Sequence, residues 1–135
     1  MPGKLLIVDD QAGITKVVSL VASKAGFDTR SVTISAEATE TFIDFKPDVV
    51  ILDMIMPEKD GIDVLNEILL TGIPSRFILT SGFGDGYLRL AEGVAKFHDA
   101  GRVSILRKPF RRQELTELLE SLAGEVRAAV ATPTG

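Results

Sequence analysis

The sequence predicts a doubly wound α/β fold, in which a parallel sheet of five strands carries helices on both faces. Two observations support this prediction. Short, continuously apolar segments alternate along the chain with longer segments whose apolar residues recur at three- and four-residue steps. The four-residue segment at 49–52, Val-Val-Ile-Leu, is β-branched and apolar throughout, which is typical of a strand buried on both sides. Regular βα alternation favours a parallel sheet.

The first two strands are predicted at residues 5–8 and 27–32, the second with the weak alternation of an edge strand. Gly26 suits the C-terminal cap of the helix between them. The apolar face of that helix comprises Ile14, Val17, Val18, Val21 and Ala25. Ser35 is the predicted N-cap of the second helix, and Pro47 stops it. This helix presents Ala38, Phe42 and Phe45 on one face.

The third strand is predicted at residues 48–53, and a helix follows over 61–70 with an apolar face of Leu65, Ile68 and Leu69. The fourth strand covers 76–80, and the loop 81–86 contains three glycines. The fourth helix ends near 100–101. Its predicted core face comprises Tyr87, Leu90, Ala91, Val94 and Phe97.

Residues 103–107 form the fifth predicted strand, which Lys108-Pro109 breaks. The last helix has an apolar stripe of Leu115, Leu118, Leu119 and Leu122. With right-handed crossovers, five strands at this length fit the order 2-1-3-4-5, the flavodoxin-like arrangement. We expect one domain over residues 1–123. Residues 124–135 extend the last helix, as far as Ala131, or form a flexible tail or linker.

The composition excludes several classes of function. The 135 residues carry a net charge of −4 and no cysteine. Thiolate metal sites, disulfides and cysteine nucleophiles are therefore excluded, and direct binding of nucleic acid by this segment is not expected. No apolar run approaches the ~18 residues that a membrane span needs. A cytoplasmic protein without a membrane anchor is the expectation.

Acidic residues follow two strands that are neighbours in the predicted sheet. Asp9 and Asp10 come after the first strand, and Asp53 ends the third. Ligands of open α/β sheets bind at the carboxyl ends of the strands, so these acids should converge at one edge. Three carboxylates at one place repel each other, and a hard divalent cation such as Mg²⁺ relieves the repulsion.

The same edge should also carry hydroxyl groups and an ammonium group. Thr80 and Ser81 end the fourth strand, and Lys108 follows the fifth. A carboxylate nucleophile, a metal ion and a lysine together are suited to accepting a phosphoryl group, because the cations neutralise the charge on the phosphoryl oxygens.

Four motifs carry a family resemblance. They are apolar-Val-Asp-Asp at 8–10, Leu-Asp-Met-x-Met-Pro-x-x-Asp-Gly at 52–61, Thr-Ser-Gly at 80–82 and Lys-Pro-Phe at 108–110. Each motif alone is weak, but in this order and at strand ends they are specific. Over residues 4–122 the sequence resembles the receiver domain of two-component response regulators.

The resemblance implies a role for each site residue. Asp53 would be the phosphoacceptor, taking a phosphoryl group from a sensor histidine kinase or a phosphotransfer protein. Mg²⁺ would be bound by Asp10, Asp53 and the backbone carbonyl of Ile55, with Asp9 acting mostly through water. Ser81 would be the switch hydroxyl, with Thr80 as its rival. Lys108 would pair with the phosphoryl group, and its bond to Pro109 would be cis.

The sequence also departs from the pattern of the family. Ile105 stands three residues before the lysine, where receiver domains usually carry the switch aromatic residue. The segment from Ser81 to Lys108 is about one helical turn longer than usual, which places an insertion on the fourth helix or its flanking loops. That helix, the fifth strand and the fifth helix form the usual output surface, through which a homodimer is possible. Apolar Ile55 and Phe83 flank the site, which suggests a long-lived aspartyl phosphate.

Two alternatives stay open from the sequence. A pseudo-receiver would bind partners without being phosphorylated. A phosphatase or phosphotransferase with an aspartyl-phosphate intermediate would need a second aspartate two residues after the nucleophile, where this chain has Ile55. We therefore expect a signalling switch and not a turnover enzyme.

Overall fold

The computed structural model describes residues 3–82, 85–98 and 102–131, and these contain a five-stranded parallel sheet. The strands run in the order β2-β1-β3-β4-β5. Their bounds are β1 Lys4–Val8, β2 Asp28–Val32, β3 Val49–Asp53, β4 Arg76–Ser81 and β5 Val103–Arg107. The strand order and the bounds of all five strands, within one residue, confirm the predicted fold class.

Five α-helices alternate with the strands in the described part of the chain. They are α1 Ala12–Lys24, α2 Ala38–Phe45, α3 Gly61–Leu70, α4 Asp85–Phe97 and α5 Arg112–Ala131. A 3₁₀ turn, Ser35–Glu37, precedes α2. Among these described helices, none has both the length and the apolarity to cross a membrane.

Each face of the sheet has its own hydrophobic core, because successive residues of a strand point to opposite faces. On one face, side chains such as Leu6, Leu52 and Leu79 pack with residues of α2, α3 and α4. On the other face, side chains such as Ile7 and Ile51 pack with residues of α1 and α5. The central strand β3 is buried along its whole length, as its apolar run predicts.

The end of α1 follows the sequence prediction. Gly26 has φ of +97°, which a glycine adopts without strain. Its N–H donates to the carbonyl of Ser23, and the N–H of Phe27 donates to the carbonyl of Ala22. These two bonds form a Schellman motif, which satisfies carbonyls that the helix leaves unpaired at its end.

The prediction that Ser35 caps α2 is wrong. The residue before α2 is Glu37, without a side-chain capping bond, and Ser35 begins the preceding 3₁₀ turn. The Ser35 hydroxyl instead bonds the backbone of the loop between β3 and α3. A long-range partner of this kind competes with local capping, and the local sequence gives no sign of it.

The predicted core face of α4 is also wrong in part. Leu88, Ala91 and Ala95 are buried, whereas Phe97 is 85% exposed and Leu90 also lies at the surface. The buried face of α4 thus contains one leucine and two alanines, and the larger Leu90 and Phe97 lie outside it. The side chain of Tyr87 and the predicted helix end at 100–101 lie outside the described residues. Gly86, predicted in the loop, belongs to α4.

The last turns of α5 pack against the rest of the domain. Glu125 bonds Arg76 at the start of β4, at 3.2 Å, and also bonds Arg102. Val126 is buried next to Gly3 and Phe27. The helix therefore runs without a break across residue 123, and the domain boundary there stays a prediction. Residues 132–135 of the predicted tail lie outside the described residues.

Candidate phosphoacceptor site at the carboxyl edge of the sheet

The three predicted acids meet at the carboxyl edge, because β1 and β3 are paired in register. Asp9 follows β1 and is 2% exposed, and Asp53 ends β3 and is 4% exposed. Asp10 lies at the surface beside them. Each of the three residues offers a carboxylate oxygen, and these oxygens all lie within 4.8 Å of one another.

Lys108 reaches the same cluster from the end of β5. Its Nζ lies 2.8 Å from Asp9 Oδ2 and 3.3 Å from Asp53 Oδ2. The Lys108 N–H donates to the carbonyl of Ser81 at 3.0 Å, and the Lys108–Pro109 bond is cis, as the resemblance implies. The side chain of Lys108 is mostly buried, so its charge acts on the two acids with little screening by solvent.

Burial raises the pKa of the Asp53 carboxyl to about 6. The Ile55 N–H lowers this pKa, the neighbouring charge of Asp9 raises it, and Lys108 lowers it again. Loss of hydration therefore outweighs the ion pair at this carboxyl. One ammonium group cannot offset three carboxylates, so the cluster retains net negative charge.

The donor set fits a hard divalent cation. Carboxylate oxygens are the ligands that Mg²⁺ prefers, and Mg²⁺ keeps several waters that need an open side. Asp10 is exposed, so the cluster is open to water on its side. Asp9 and Asp53 are buried, and Lys108 neutralises only part of their negative charge. The arrangement is thus suited to bind a metal ion and a charged group together.

Asp9 has a structural role that is compatible with metal binding. Its Oδ1 accepts a hydrogen bond from the N–H of Gln11 at 2.9 Å, and Gln11 is the N-cap residue of α1. The Gln11 side chain accepts from Lys108 Nζ at 3.3 Å. The sequence prediction missed Gln11, although its position directly after the two aspartates could have indicated it.

The loop after Asp53 passes close to the end of β3. The N–H of Ile55 donates to Asp53 Oδ1 at 3.1 Å, and the Ile55 side chain is 38% exposed. The N–H of Gly61 donates to the carbonyl of Met54 at 2.9 Å. A Cβ at Gly61 would lie 2.3 Å from the Met54 Cα, so only glycine permits this approach. This accounts for the glycine that ends the motif at 52–61.

Both candidate switch hydroxyls are buried at the end of β4. Thr80 is paired with Asp53 in the sheet, and its hydroxyl donates to the carbonyl of Leu52 at 3.5 Å. Ser81 is the last residue of β4 and is paired with Arg107. The predicted flanking residue Phe83 lies outside the described residues.

Ile105 lies in the middle of β5, paired with Leu79. Its side chain is half-buried and packs against the core under α3 and α4. An aliphatic side chain in this position has no ring to turn and no hydroxyl to donate.

Comparisons with known proteins agree with this geometry. Residues 5–120 match the family model described as the response regulator receiver domain. The chain is 31% identical over 124 residues to the chemotaxis protein CheY of Thermotoga maritima, covering 91% of this chain and 99% of that protein. It is 33% identical to a protein-glutamate methylesterase/protein-glutamine glutaminase of Myxococcus xanthus, covering 99% of this chain but 37% of that protein.

Solved structures show the same fold. A response regulator from Colwellia psychrerythraea is similar with a TM-score of 0.77 and 26% identity, covering 93% of this chain and 99% of that one. A CheY-like receiver domain protein from Methanospirillum hungatei has a TM-score of 0.78 at 16% identity, with 96% and 99% covered. The family model spans most of the described chain and includes every acid of the cluster and Lys108. The chain therefore belongs to the family of response regulator receiver domains.

Proposed function

We propose that Asp53 accepts a phosphoryl group from a phosphohistidine of a sensor histidine kinase or a phosphotransfer protein. A carboxylate oxygen of Asp53 attacks the phosphorus, and the bond from phosphorus to the histidine nitrogen breaks. The imidazole leaves with the electron pair, and the product is 4-aspartylphosphate. We expect the domain to act in the cytoplasm.

One observation carries this proposal: Asp53 lies at the carboxyl end of the central strand, within reach of an ammonium group and two further carboxylates. A phosphoryl group brings charge that both an ammonium group and a metal ion can neutralise. The raised pKa of Asp53, about 6, still leaves the carboxyl ionised at neutral pH and therefore nucleophilic.

We assign the metal ligands as Asp10, Asp53 and the backbone carbonyl of Ile55, with Asp9 acting mostly through water. When bound, Mg²⁺ would neutralise charge on the phosphoryl oxygens. Asp9 is held by the N–H of Gln11 and by Lys108, which supports a role through water and not as a direct ligand.

Lys108 and Ser81 complete the proposed site. Lys108 would exchange its bond with Asp53 for one with the phosphoryl group. Ser81 would donate its hydroxyl to the same group, with Thr80, which is buried beside it at the end of β4, as the rival for that role. Neither residue needs to supply or remove a proton.

The test is to incubate the domain with Mg²⁺ and acetyl phosphate and to measure its intact mass. We expect the mass of one phosphoryl group on the wild type and none on Asp53→Asn. The matched control is Asp63→Asn, an exposed residue in the first turn of α3 that should not alter the uptake.

The other outcomes separate the alternatives. A wild type that takes up no phosphoryl group would favour a pseudo-receiver, which binds partners without phosphorylation. Continued release of phosphate beyond one equivalent per chain would favour a phosphatase. Uptake that persists in Asp53→Asn would contradict the assignment of the nucleophile.

We further propose that the aspartyl phosphate is long-lived. The apolar Ile55 side chain is partly exposed beside Asp53 and offers no group to orient an attacking water. After removal of the phosphodonor, the phosphorylated mass should persist for minutes. Loss within a few seconds would contradict this proposal.

We propose that phosphorylation changes the surface formed by α4, β5 and α5, and that this surface contacts the partner or output domain. A homodimer through the same surface is possible. Because Ile105 replaces the usual aromatic residue, the hydroxyl–aromatic coupling cannot work in its usual form. Leu90 and Phe97 are exposed on α4, which supports a contact surface there. Sedimentation velocity before and after phosphorylation would test for the dimer.

A further inference from the structure

The segment between β2 and α2 is bonded to the loop between β3 and α3 through Ser35. The Ser35 hydroxyl donates to the carbonyl of Pro57 at 3.0 Å and accepts from the N–H of Lys59 at 3.1 Å. Ser35 is 2% exposed, so water competes little for these bonds. The hydroxyl is therefore both a donor and an acceptor, and both of its partners belong to the loop that follows Asp53.

The two partners are the ends of a tight turn. The N–H of Lys59 also donates to the Pro57 carbonyl at 2.9 Å, and Glu58 between them has φ of +73°. A bond from residue i+2 to residue i with positive φ at the centre is a strained γ-turn. Such a turn persists only when surrounding contacts hold it. Ser35 is placed to do so, because it bonds both ends at once.

The side chain of Lys59 also holds the turn, through Glu67. Lys59 Nζ lies 2.6 Å from Glu67 on α3, and Thr39 on α2 donates to the same carboxylate at 2.8 Å. The bonds of Lys59 and Thr39 hold the pKa of Glu67 below its ordinary value. This pair is partly exposed, so we expect it to hold the turn less firmly than the buried Ser35 does.

The Pro57–Lys59 turn belongs to the short loop that joins Asp53 to α3. Residues 54 and 61 are joined by the bond from Gly61 N–H to the Met54 carbonyl, so residues 55–60 project as a closed loop. Ile55 is the first residue of this loop, and its N–H donates to Asp53. The side chain of the next residue, Met56, is buried. Ile55 therefore lies between two anchored points of the loop, the bond of its own N–H to Asp53 and the Pro57–Lys59 turn that Ser35 bonds.

We propose that Ser35 is a positioning residue for the metal site, which holds the loop so that the Ile55 carbonyl faces the three acids. This inference rests on the proposed function, since it takes the Ile55 carbonyl as a ligand. Ser35 contacts neither the metal nor the phosphoryl group; it acts through the Pro57–Lys59 turn. Removal of its hydroxyl should weaken the binding of Mg²⁺ and leave the reactivity of Asp53 at saturating Mg²⁺ unchanged.

The test compares Ser35→Ala with a matched variant. Ser75→Ala also removes a serine-to-carbonyl bond, from the half-buried Ser75 to Pro47 at 3.0 Å, but at the amino ends of the strands, away from the site. Mg²⁺ affinity is measured by calorimetry without a phosphodonor. The dependence of phosphoryl uptake on Mg²⁺ concentration is measured separately, and urea unfolding reports the stability of each variant.

We expect Ser35→Ala to weaken Mg²⁺ binding by about three- to tenfold, because both hydrogen bonds of the hydroxyl are lost and only part of their free energy acts on the position of the loop. Its uptake rate at saturating Mg²⁺ should stay within about twofold of the wild type, since Asp53 and Lys108 are intact. Hydrogen exchange of the Ile55 amide should become faster in Ser35→Ala. Ser75→Ala should leave the affinity and this exchange unchanged, although it also loses a hydrogen bond.

Three results would overturn the proposal in different ways. If both variants lose stability but bind Mg²⁺ like the wild type, Ser35 has only a structural role. If both variants weaken Mg²⁺ binding equally, the effect comes from general destabilisation. If the wild type itself binds no Mg²⁺, the metal site of the proposed function fails first, and the role of Ser35 fails with it.

Discussion

At the scale of single residues, the strongest conflict between folding and function lies at Asp53. The carboxylate is buried beside the like charge of Asp9, and its pKa is raised to about 6. An acid with a raised pKa binds its proton more tightly in the native state than in the unfolded chain. The stability that it contributes is therefore greatest at low pH and falls as the pH rises through the window from 3.8 to about 6.

We expect Asp53→Asn to stabilise the metal-free domain at neutral pH by about 1–3 kcal/mol, because it removes a buried charge. The difference from the wild type should shrink as the pH falls and vanish near the ordinary pKa of aspartate. Urea unfolding in the presence of a chelator, at several pH values, measures it. A difference that is independent of pH, or an Asn variant less stable than the wild type at neutral pH, would contradict the burial argument.

Lys108 is the other residue whose removal has an opposed effect on folding and metal binding. We expect Lys108→Met to lower the stability of the metal-free domain by about 2–4 kcal/mol, since Asp9 and Asp53 lose their buried partner. The same variant should bind Mg²⁺ more tightly, because a competing cation is gone. Exposed Lys16→Met on α1 is the control and should change neither quantity. Weaker Mg²⁺ binding by Lys108→Met would show that the ammonium group shapes the site and does not compete for it.

Sequence reasoning found the charged residues of the site but not those that hold them. Asp9, Asp53 and Lys108 are detectable because polar residues directly follow apolar strands. Ser35 acts through backbone groups of a distant segment, and a hydroxyl that bonds a loop 22 residues away looks like any serine at a helix start. The identity of the switch hydroxyl stays a prediction.

At the scale of the elements, two glycines in or beside helices should respond to alanine in opposite ways. Gly61→Ala would bring a Cβ to 2.3 Å from the Met54 backbone, and we expect a loss of more than about 3 kcal/mol. Gly93→Ala, in the interior of α4 with no atom near the new Cβ, should gain about 0.5–1 kcal/mol.

The free energies of unfolding of the two glycine variants, measured in urea, check this contrast. The Gly61→Ala domain should also lose Mg²⁺ affinity, because the loop that begins at Met54 has to move. A Gly61→Ala domain as stable as the wild type would mean that the loop tolerates displacement and that the close approach of Gly61 to Met54 is dispensable.

The strands β1, β3, β4 and β5 were predictable to within a residue because their apolar runs are short and are bounded by polar residues, whereas β2 has no apolar run and was predicted from a weak alternation. The inward face of α4 was not predictable, since Leu90 and Phe97 continue a helical period that is as apolar as the true one. Buried alanines carry little signal in a hydrophobicity pattern. The two candidate faces of α4 are nearly equally apolar in the sequence, and tertiary packing decides which of them is buried.

At the scale of the whole molecule, a metal ion that binds only the folded domain should raise its thermal stability. At about ten times its dissociation constant, Mg²⁺ would add about 1.4 kcal/mol, or about 4–6 °C in Tm at this chain length. Asp10→Asn, which removes an exposed ligand, should reduce the shift. NaCl at equal ionic strength is the salt control, and a shift of the same size with NaCl would indicate screening of charge and not binding.

The edge strand β2 has a consequence for association between copies of the domain. A strand at the edge of a sheet presents backbone groups to which another strand can add, and charged side chains along the edge discourage this. On β2, Asp28 and Arg30 are exposed, and the Arg30 guanidinium lies 4.4 Å from the centre of the Phe45 ring. The ring holds that charge beside the open edge through a cation–π contact. The polar residues that make β2 a poor strand signal should therefore discourage edge-to-edge pairing between copies of the domain.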